Sequence, residues 1–210
     1  EKVGSRLRKA ELAAQAALGD GSLDVNVRAL EAAIPPDLTA AEISVRLGAT
    51  WLPEDVIQRF MVELLQTSGY ARDRTRVHYS NRTGEWSITE KNADRSNIHS
   101  FNTYGTQRVN AYKIIEDSLN LRDVRVFDKV YDPDGTEKRV LNKKETAIAQ
   151  AKQEIIRAKF EEWIWKDPAR RERLCRIYND RFNSVRPREY DGSHIKFVGM
   201  NPEITLRKHQ

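Results

Sequence analysis

The chain has 210 residues and a formal net charge of +5, with 36 Lys and Arg against 31 Asp and Glu. A hydrophobic fraction of 39% beside a charged fraction of 32% is typical of a protein with much water-exposed surface. No apolar run approaches the roughly 18 residues of a membrane span, and the first residues lack a secretory signal pattern. We therefore expect a cytoplasmic protein with no membrane partner.

Helix-forming residues dominate the first part of the chain. One helix is predicted over residues 3–18, which are rich in Ala, Leu and Glu. A second is predicted over residues 25–34, which end at a pair of prolines. Thr39 and Glu42 have the spacing of a capping box, in which hydroxyl and carboxylate satisfy free backbone donors reciprocally. This spacing predicts a third helix, which ends near Gly48.

A fourth helix is predicted after Trp51. Pro53 suits the first helical position, and Glu54 and Asp55 favour the positive end of the helix dipole. Apolar residues then recur at spacings of three and four, which predicts a buried stripe and not a binding groove. The stripe consists of Val56, Ile57, Phe60, Met61, Leu64 and Leu65.

The hydrophobic period changes from helical to alternating at Arg74. The alternation continues to Tyr79 and resumes over residues 85–89, which predicts a β-hairpin with an apolar face and a basic face. The basic face carries Arg74, Arg76 and His78. Residues 91–104 have no clear period and are predicted to form a loop.

A helix and a second hairpin are predicted next. Thr106 is the expected cap of a helix that runs through Leu119. Residues 124–131 and 137–141 flank the turn Asp132-Pro-Asp-Gly135, whose Pro and Gly favour a tight turn. We expect this turn to join two antiparallel strands.

The strongest helix signals come after the second hairpin. Asn142 and Glu145 predict a helix start, and the apolar period continues to Lys166. Asp167 and Pro168 then predict the cap and first position of another helix. The fold class is therefore α+β, predominantly helical with two β-hairpins. We divide the chain into residues 1–68, 69–142, 143–187 and an extended segment 188–210.

No known catalytic pattern is present. The sequence has no Gly-rich phosphate loop, paired-Cys motif, His-Glu-x-x-His or Gly-x-Ser-x-Gly. Its four histidines are far apart, and Cys175 is a single cysteine whose apolar neighbours favour a packed, inert thiol. Asp132 and Asp134 are explained as turn residues, because the other ligands of a calcium loop are missing. We expect no catalytic residue, no metal site and no cofactor within this chain.

Two groups of basic residues are candidates for nucleic-acid contact. Lys and Arg in excess, interleaved with aromatic residues, favour phosphate contact and base stacking. The larger group lies on the two C-terminal helices and the smaller on the first hairpin: Lys152, Arg157, Lys159, Arg170, Arg171, Arg173, Arg176 and Arg181, with Arg74 and Arg76. Amphipathic helices also carry charges merely to stay solvated, and Trp163, Trp165, Tyr178 and Phe182 can equally be core residues.

Five segments carry a resemblance to a known family. They are Ile34 to Pro53, Leu141-Asn-Lys-Lys-Glu-Thr146, Phe160-Glu-Glu-Trp-Ile-Trp165, Arg173-Leu-Cys-Arg-Ile-Tyr-Asn179 and Arg188-Glu-Tyr-Asp-Gly-Ser-His194. They resemble the linker region of large helicase-methylase proteins of phages, plasmids and other mobile genetic elements. In those proteins an adenine-N6 DNA methylase-like portion comes first, and a superfamily-two helicase of the SWI/SNF-like type comes last.

The resemblance implies that nucleotide chemistry belongs to flanking parts of the same chain. The methylase motif Asn-Pro-Pro-Tyr is absent, since Asn201-Pro202 precedes Glu203. The helicase phosphate loop is absent as well. Leu206, Arg207 and Gln210 match the opening motif of the helicase motor, which makes Gln210 an adenine-reading candidate. ATP, magnesium and S-adenosylmethionine are then cofactors of the parent protein and not of this chain.

Three hypotheses follow for function. The first is a non-catalytic accessory module that contacts DNA backbone through the basic helices. The alternative is a structural interdomain connector that packs on the helicase or methylase domain without binding DNA. An independent enzyme with an unrecognised site is the third.

Overall fold

The computed structural model describes residues 35–134 and 136–183, together with Glu11, Ala13, Ala14, Gln15, Gly19, Asp24, Val25 and Arg28. The helices predicted over residues 3–18 and 25–34 therefore lie outside the described residues, apart from these single positions. The segment 188–210, with Gln210, lies outside them as well.

Helices and two separate hairpins alternate along the described chain. The elements are α1 (Glu54–Leu65), α2 (Gly69–Arg74), β1 (Val77–Ser80), β2 (Glu85–Ile88), a π-helix (His99–Thr103), α3 (Ala111–Leu119), β3 (Phe127–Tyr131), β4 (Glu137–Leu141), α4 (Lys143–Ile164) and α5 (Pro168–Phe182). Strands β1 and β2 form one antiparallel sheet, and β3 and β4 form another. The predicted α+β class, predominantly helical with two hairpins, is confirmed.

The chain has two compact units. One comprises Leu38–Tyr178, and the other combines Glu1–Asp37 with Asn179–Gln210. The first unit has one hydrophobic core, to which the predicted segments 1–68, 69–142 and 143–187 all contribute side chains.

Local capping signals correctly predicted three helix starts. Helix α1 begins one residue later than expected, with Pro53 as its N-cap and not its first residue, and its two acidic residues lie in the first turn. The Asn142 side chain accepts a hydrogen bond from the backbone N–H of Glu145 at 2.9 Å, where α4 begins. Asp167 Oδ1 accepts from the N–H of Arg170 at 2.8 Å in the first turn of α5. These bonds satisfy backbone donors that a helix leaves free at its N-terminus.

The helix predicted from Thr39 to Gly48 is wrong. The Thr39 N–H and hydroxyl both donate to Glu42 Oε2, at 2.8 and 2.7 Å, but they close only a single turn. Gly48 has a φ of +98°, and a Cβ at this position would lie 2.4 Å from the carbonyl oxygen of Leu119. The close approach to α3 therefore requires a backbone that a right-handed helix does not have.

The cap of α3 also differs from the prediction. Asn110, and not Thr106, is its N-cap, and Asn110 Oδ1 accepts from the N–H of Lys113 at 3.0 Å. The Thr106 hydroxyl instead accepts from the N–H groups of Arg108 and Val109, at 3.2 and 3.0 Å. A hydroxyl that closes a local turn in this way competes with helix capping.

Two short helices occupy segments for which no helix is predicted. Helix α2 has six residues and begins after Ser68, whose hydroxyl accepts from the N–H of Ala71 at 3.4 Å. The π-helix lies within the loop predicted over residues 91–104. Neither segment is long enough to show a hydrophobic period, which explains why the sequence pattern missed them.

Helix side chains cover both outer edges of the first hairpin. The outward-facing N–H groups of β1 donate to side chains of α1, and those of β2 donate to side chains at the end of α3. The four bonds are Val77 to Gln58 Oε1 at 2.8 Å, Tyr79 to Glu54 Oε1 at 2.8 Å, Trp86 to Asn120 Oδ1 at 2.9 Å and Ile88 to Glu116 Oε2 at 2.8 Å. No edge donor of these four residues is left for another strand.

A buried polar network joins the end of α1 to α3. Asp94 is buried and accepts from the hydroxyl of Ser68 at 3.1 Å, the amide of Asn97 at 2.6 Å and the phenol of Tyr112 at 3.2 Å. The Tyr112 oxygen also lies 3.0 Å from the Thr67 hydroxyl. Burial raises the pKa of Tyr112 to about 12.

This shift predicts a pH dependence of stability. An unfolded Tyr112 releases its proton near its ordinary pKa of 10.0, whereas the folded state retains it up to about 12. The free energy of unfolding should therefore fall as the pH rises between these values. Tyr112→Phe should lose about 1 kcal/mol at neutral pH, because two hydrogen bonds are removed, and should show a shallower fall at high pH.

Urea unfolding between pH 7 and pH 11.5 measures both effects. Tyr131→Phe is the matched control, since the Tyr131 side chain is 65% exposed. Identical pH slopes for wild type and Tyr112→Phe would contradict the assignment.

Candidate functional site

An open groove of about 600 Å³ lies between α1 and α4. Helix α1 and the residue after it form one wall, and the C-terminal part of α4 with the turn after it forms the other. A tyrosine that follows the π-helix also lines the groove. The lining residues are Phe60, Glu63, Leu64, Gln66, Tyr104, Lys159, Glu162, Trp163 and Lys166. Aromatic rings and two lysines thus share one concave surface.

Two of the lining residues lie where the backbone departs from regular α-helix. Gln66 ends α1 in the left-handed region, with a φ of +48°, and its N–H donates to the Val62 carbonyl. Tyr104 ends the π-helix, and its N–H donates to the carbonyl of His99 at 2.9 Å. Left-handed non-glycine residues and π-helical turns are both enriched at functional sites.

Trp163 is the aromatic centre of the groove. Its ring centroid lies 5.3 Å from that of Phe60, and its indole N–H donates to Glu63 Oε2 at 2.6 Å. Arg59 Nε donates to the other Glu63 oxygen at 2.7 Å. Burial favours a raised pKa for Glu63, but the bonds from Arg59 and Trp163 outweigh it and lower the pKa. A charged carboxylate therefore fixes the indole.

Arg170 is a second side chain that contacts Trp163. Its guanidinium is centred 3.5 Å from the ring centroid of Trp163. Nε donates to the carbonyl of Ile164 at 2.9 Å, and Nη2 donates to that of Trp163 at 2.5 Å. The Ile164 carbonyl is one that the helix C-terminus leaves free, whereas the Trp163 carbonyl also accepts from the N–H of Lys166 at 3.2 Å. Burial lowers the pKa of Arg170, and the residue is buried, so this predicted candidate does not belong to the exposed surface of the groove.

Only one of the predicted basic residues lines the groove. Lys159 is half-exposed there, and its Nζ lies 2.9 Å from Glu162 Oε2. Lys166 is exposed two residues after the end of the same helix and adds a second cation that was not among the candidates.

The other predicted cations of α4 and α5 mostly have intramolecular partners. Arg157 pairs with Glu154 at 2.5 Å and Asp123 at 3.5 Å, Arg173 binds both oxygens of Asp55 at 2.5 and 3.0 Å, Arg176 pairs with Glu172 at 3.1 Å, and Lys152 donates to the Thr103 carbonyl at 2.9 Å. Exposed pairs of this kind contribute little to stability, about 0–1 kcal/mol each. Arg171 and Arg181 are exposed on α5.

The candidates near the first hairpin lie beside its strands and not within them. Strand β1 begins at Val77, so the predicted strand start at Arg74 is wrong. Arg74 is the last residue of α2, where it pairs with Glu90 at 3.6 Å and stacks 4.4 Å over the ring of Tyr70. Arg76 pairs with Asp73 at 3.6 Å. Thr75 is the C-cap of α2, and its N–H donates to the carbonyl of Ala71. The helix therefore extends to Arg74, and the strand begins only at Val77.

Metal ligands and membrane spans have little support in the described residues. Among them, no group of three or more His, Cys, Asp and Glu could hold a metal ion. Asp134 Oδ1 accepts from the N–H of Thr136 at 3.0 Å, as a turn residue does.

Burial raises the pKa of the half-buried Cys175 thiol. The helices of the described chain are too short or too polar to cross a membrane.

A family model covers the groove completely. The model described as "Domain of unknown function (DUF8437)" matches residues 46–184. The chain belongs to the DUF8437 family. Searches of curated proteins and of solved structures each gave no match.

The groove of this DUF8437 domain combines predicted and unpredicted residues. Lys159 was expected as a cation and Trp163 as an aromatic neighbour, from their interleaving along one helix. Tyr104 and Gln66 were missed, because they lie in segments without a hydrophobic period. Glu63 was missed because nothing local indicates that it meets Trp163, one hundred positions away along the chain.

Arg170 and Arg171 form a matched pair that tests the support of the groove. Arg170→Met should lower the free energy of unfolding by about 2 kcal/mol, because the Ile164 carbonyl loses its donor and the Trp163 carbonyl keeps only backbone donors. Arg171→Met should change it by less than about 0.5 kcal/mol, since that side chain is exposed. Chemical unfolding followed by near-ultraviolet circular dichroism measures both. Equal losses in the two variants would contradict the assigned role of Arg170.

Proposed function

We propose that this DUF8437 domain is a non-catalytic accessory module that binds single-stranded DNA in the groove between α1 and α4. One observation carries the proposal: the partly exposed rings of Trp163 and Tyr104 line the same groove as Lys159 and Lys166. Proteins that hold single strands combine aromatic side chains, on which bases stack, with cations that follow the backbone.

The dimensions and chemistry of the groove support a single strand over a duplex. Its volume of about 600 Å³ is that of a site for a small ligand or an unstacked base. A base in a duplex is stacked on both faces and paired with its partner base, so it cannot reach an aromatic wall without being extruded. Gln66 offers both a donor and an acceptor for a base edge.

The proposal places the domain within a helicase-methylase protein, as the resemblance implies. Flanking helicase and methylase domains of the same chain would supply ATP, magnesium and S-adenosylmethionine chemistry. We expect the groove itself to hold a strand without reacting with it.

A structural connector is the second candidate function. The observation that favours it is the intramolecular pairing of Arg157, Arg173 and Arg176, which leaves these guanidiniums partly neutralised. Such a surface could pack against a flanking domain. DNA binding that depends on the groove lysines distinguishes the two functions, because a structural connector is not expected to bind an oligonucleotide in the groove.

Neutralising the groove lysines tests the electrostatic part of the proposal. Lys159→Gln with Lys166→Gln should weaken binding of a fluorescent oligothymidylate about tenfold at low salt and should reduce the salt slope by about one to two. The matched control is Lys143→Gln with Lys144→Gln, which removes the same charge from exposed positions in the first turn of α4. Fluorescence anisotropy across a salt series gives both numbers.

Two results would reject the proposal. One is the absence of oligonucleotide binding at low salt, and the other is equal weakening by the groove pair and the control pair. A duplex of the same length that binds as tightly as the single strand would reject the strand preference.

Replacing Tyr104 tests the stacking part separately. Tyr104→Ala should weaken oligothymidylate binding about tenfold with an unchanged salt slope, since base stacking contributes about 1–3 kcal/mol and releases no counterions. Tyr70→Ala is the control, because Tyr70 is 65% exposed and lies outside the groove lining. An unchanged affinity in Tyr104→Ala would remove this ring from the site.

A further inference from the structure

The second hairpin is exposed on both of its faces. All five residues of β4 are exposed, and so are all residues of β3 except Asp128. Large apolar side chains are among them: Phe127, Val130, Tyr131, Val140 and Leu141 are 36–65% exposed. An isolated two-stranded sheet is only marginally stable in water, so this hairpin has more to gain from a third strand than the first one.

The register of the hairpin defines which backbone groups face outward. Asn142 N–H donates to the Val126 carbonyl at 2.9 Å, and Asp132 N–H donates to that of Thr136 at 3.0 Å. Bonded and non-bonded pairs alternate along an antiparallel ladder. The inner bonds therefore belong to the pairs 128/140 and 130/138, and the backbone groups of Glu137, Arg139 and Leu141 point away from β3.

The two hairpins differ in whether the outward backbone groups of their strands have hydrogen-bond partners. Four helix side chains accept from the outward N–H groups of the first hairpin. On β3 of the second hairpin, Arg108 Nη2 donates to the carbonyl of Phe127 at 3.0 Å. Within the described part of the chain, no hydrogen bond involves the outward backbone groups of β4. This edge is therefore ready to pair with an additional strand.

The side chains beside this edge are mainly basic and apolar. Lys138 and Arg139 are exposed on β4, and Lys143 and Lys144 are exposed where α4 begins. Glu137 is the acidic residue of the strand, and Lys129 already pairs with it at 3.0 Å. Val140 and Leu141 add apolar surface between the cations. The complementary strand would carry acidic and apolar side chains.

We propose that β4 is a docking edge for an extended acidic segment of a protein partner, which binds as a third antiparallel or parallel strand. Donors and acceptors that repeat along a strand edge match another peptide backbone and not a row of phosphates. Exposed Val and Leu likewise favour a peptide. The β4 residues are not among those that line the groove, so this inference does not depend on single-strand binding.

A synthetic nine-residue peptide of alternating Glu and Val is the probe. Added to the ¹⁵N-labelled 210-residue chain, it should shift the backbone amide resonances of Glu137, Arg139 and Leu141. The counterpart of alternating Lys and Val should bind at least about tenfold more weakly, because its charges oppose those of the edge. Equal binding of the two peptides, or no binding of either, would overturn the proposal.

A pair of variants at one position separates the backbone from the charge. Arg139→Pro and Arg139→Ala both remove the guanidinium, but only proline removes the outward N–H, and outward positions of edge strands tolerate proline. Arg139→Pro should bind the Glu-Val peptide about tenfold more weakly than Arg139→Ala. The resonances of Asp128 and Val140 report whether the inner ladder is intact in each variant.

A change in the peptide gives the same test without altering the protein. Methylating the backbone nitrogens of a central valine and of the adjacent glutamate removes one donor from each edge of the Glu-Val peptide and should weaken binding about tenfold. Full affinity of the methylated peptide, or equal affinities of Arg139→Pro and Arg139→Ala with the hairpin intact, would overturn strand addition. An oligothymidylate that displaces the Glu-Val peptide from β4 would overturn the assignment of a protein partner.

Discussion

The contact between α1 and the C-terminal half of α4 is the constraint on which the rest of this unit depends. Phe60 and Phe160 meet edge to face with their ring centroids 5.0 Å apart, and both are buried. Such pairs contribute about 0.5–1.5 kcal/mol beyond the area that they bury. Trp163 extends the contact to the surface, where Glu63, Phe60 and Arg170 hold its ring. The groove is the exposed side of this packed interface, so its aromatic wall is fixed before any ligand binds.

The two hairpins have different relations to that core. The first is joined to α1 and α3 through Gln58, Glu54, Asn120 and Glu116, so its edges are covered by the same helices that form the core. The second is held at its base, where Asp128 binds Arg108 and Asn142 at 2.7 Å each. Its strands otherwise extend from the unit. One hairpin is thus part of the scaffold, and the other presents an open strand edge.

The sequence predicted the parts of the fold that local chemistry determines. The starts of α1, α4 and α5 and both hairpins follow from caps, turns and periodicity. The helix expected at Thr39 failed because Gly48 packs against Leu119, a contact for which nothing local gives a signal.

The groove was only partly predictable for a similar reason. Lys159 and Trp163 lie on one predicted helix, whereas Tyr104, Glu63 and Gln66 come from distant segments that only the tertiary structure brings together. Arg170 could have been recognised as an inward residue, because it precedes Leu174 by four positions and so shares the apolar face of α5.

The central claim is that the groove at Trp163 holds a single strand, and the indole N–H resonances of the four tryptophans test it most directly. Trp163 lines the groove, whereas Trp86 is a buried residue of β2 and Trp51 and Trp165 lie outside the lining. Titration of the ¹⁵N-labelled chain with oligothymidylate at low salt should shift the Trp163 indole resonance and leave that of Trp86 in place. An unmoved Trp163 resonance at saturating oligonucleotide would contradict the account.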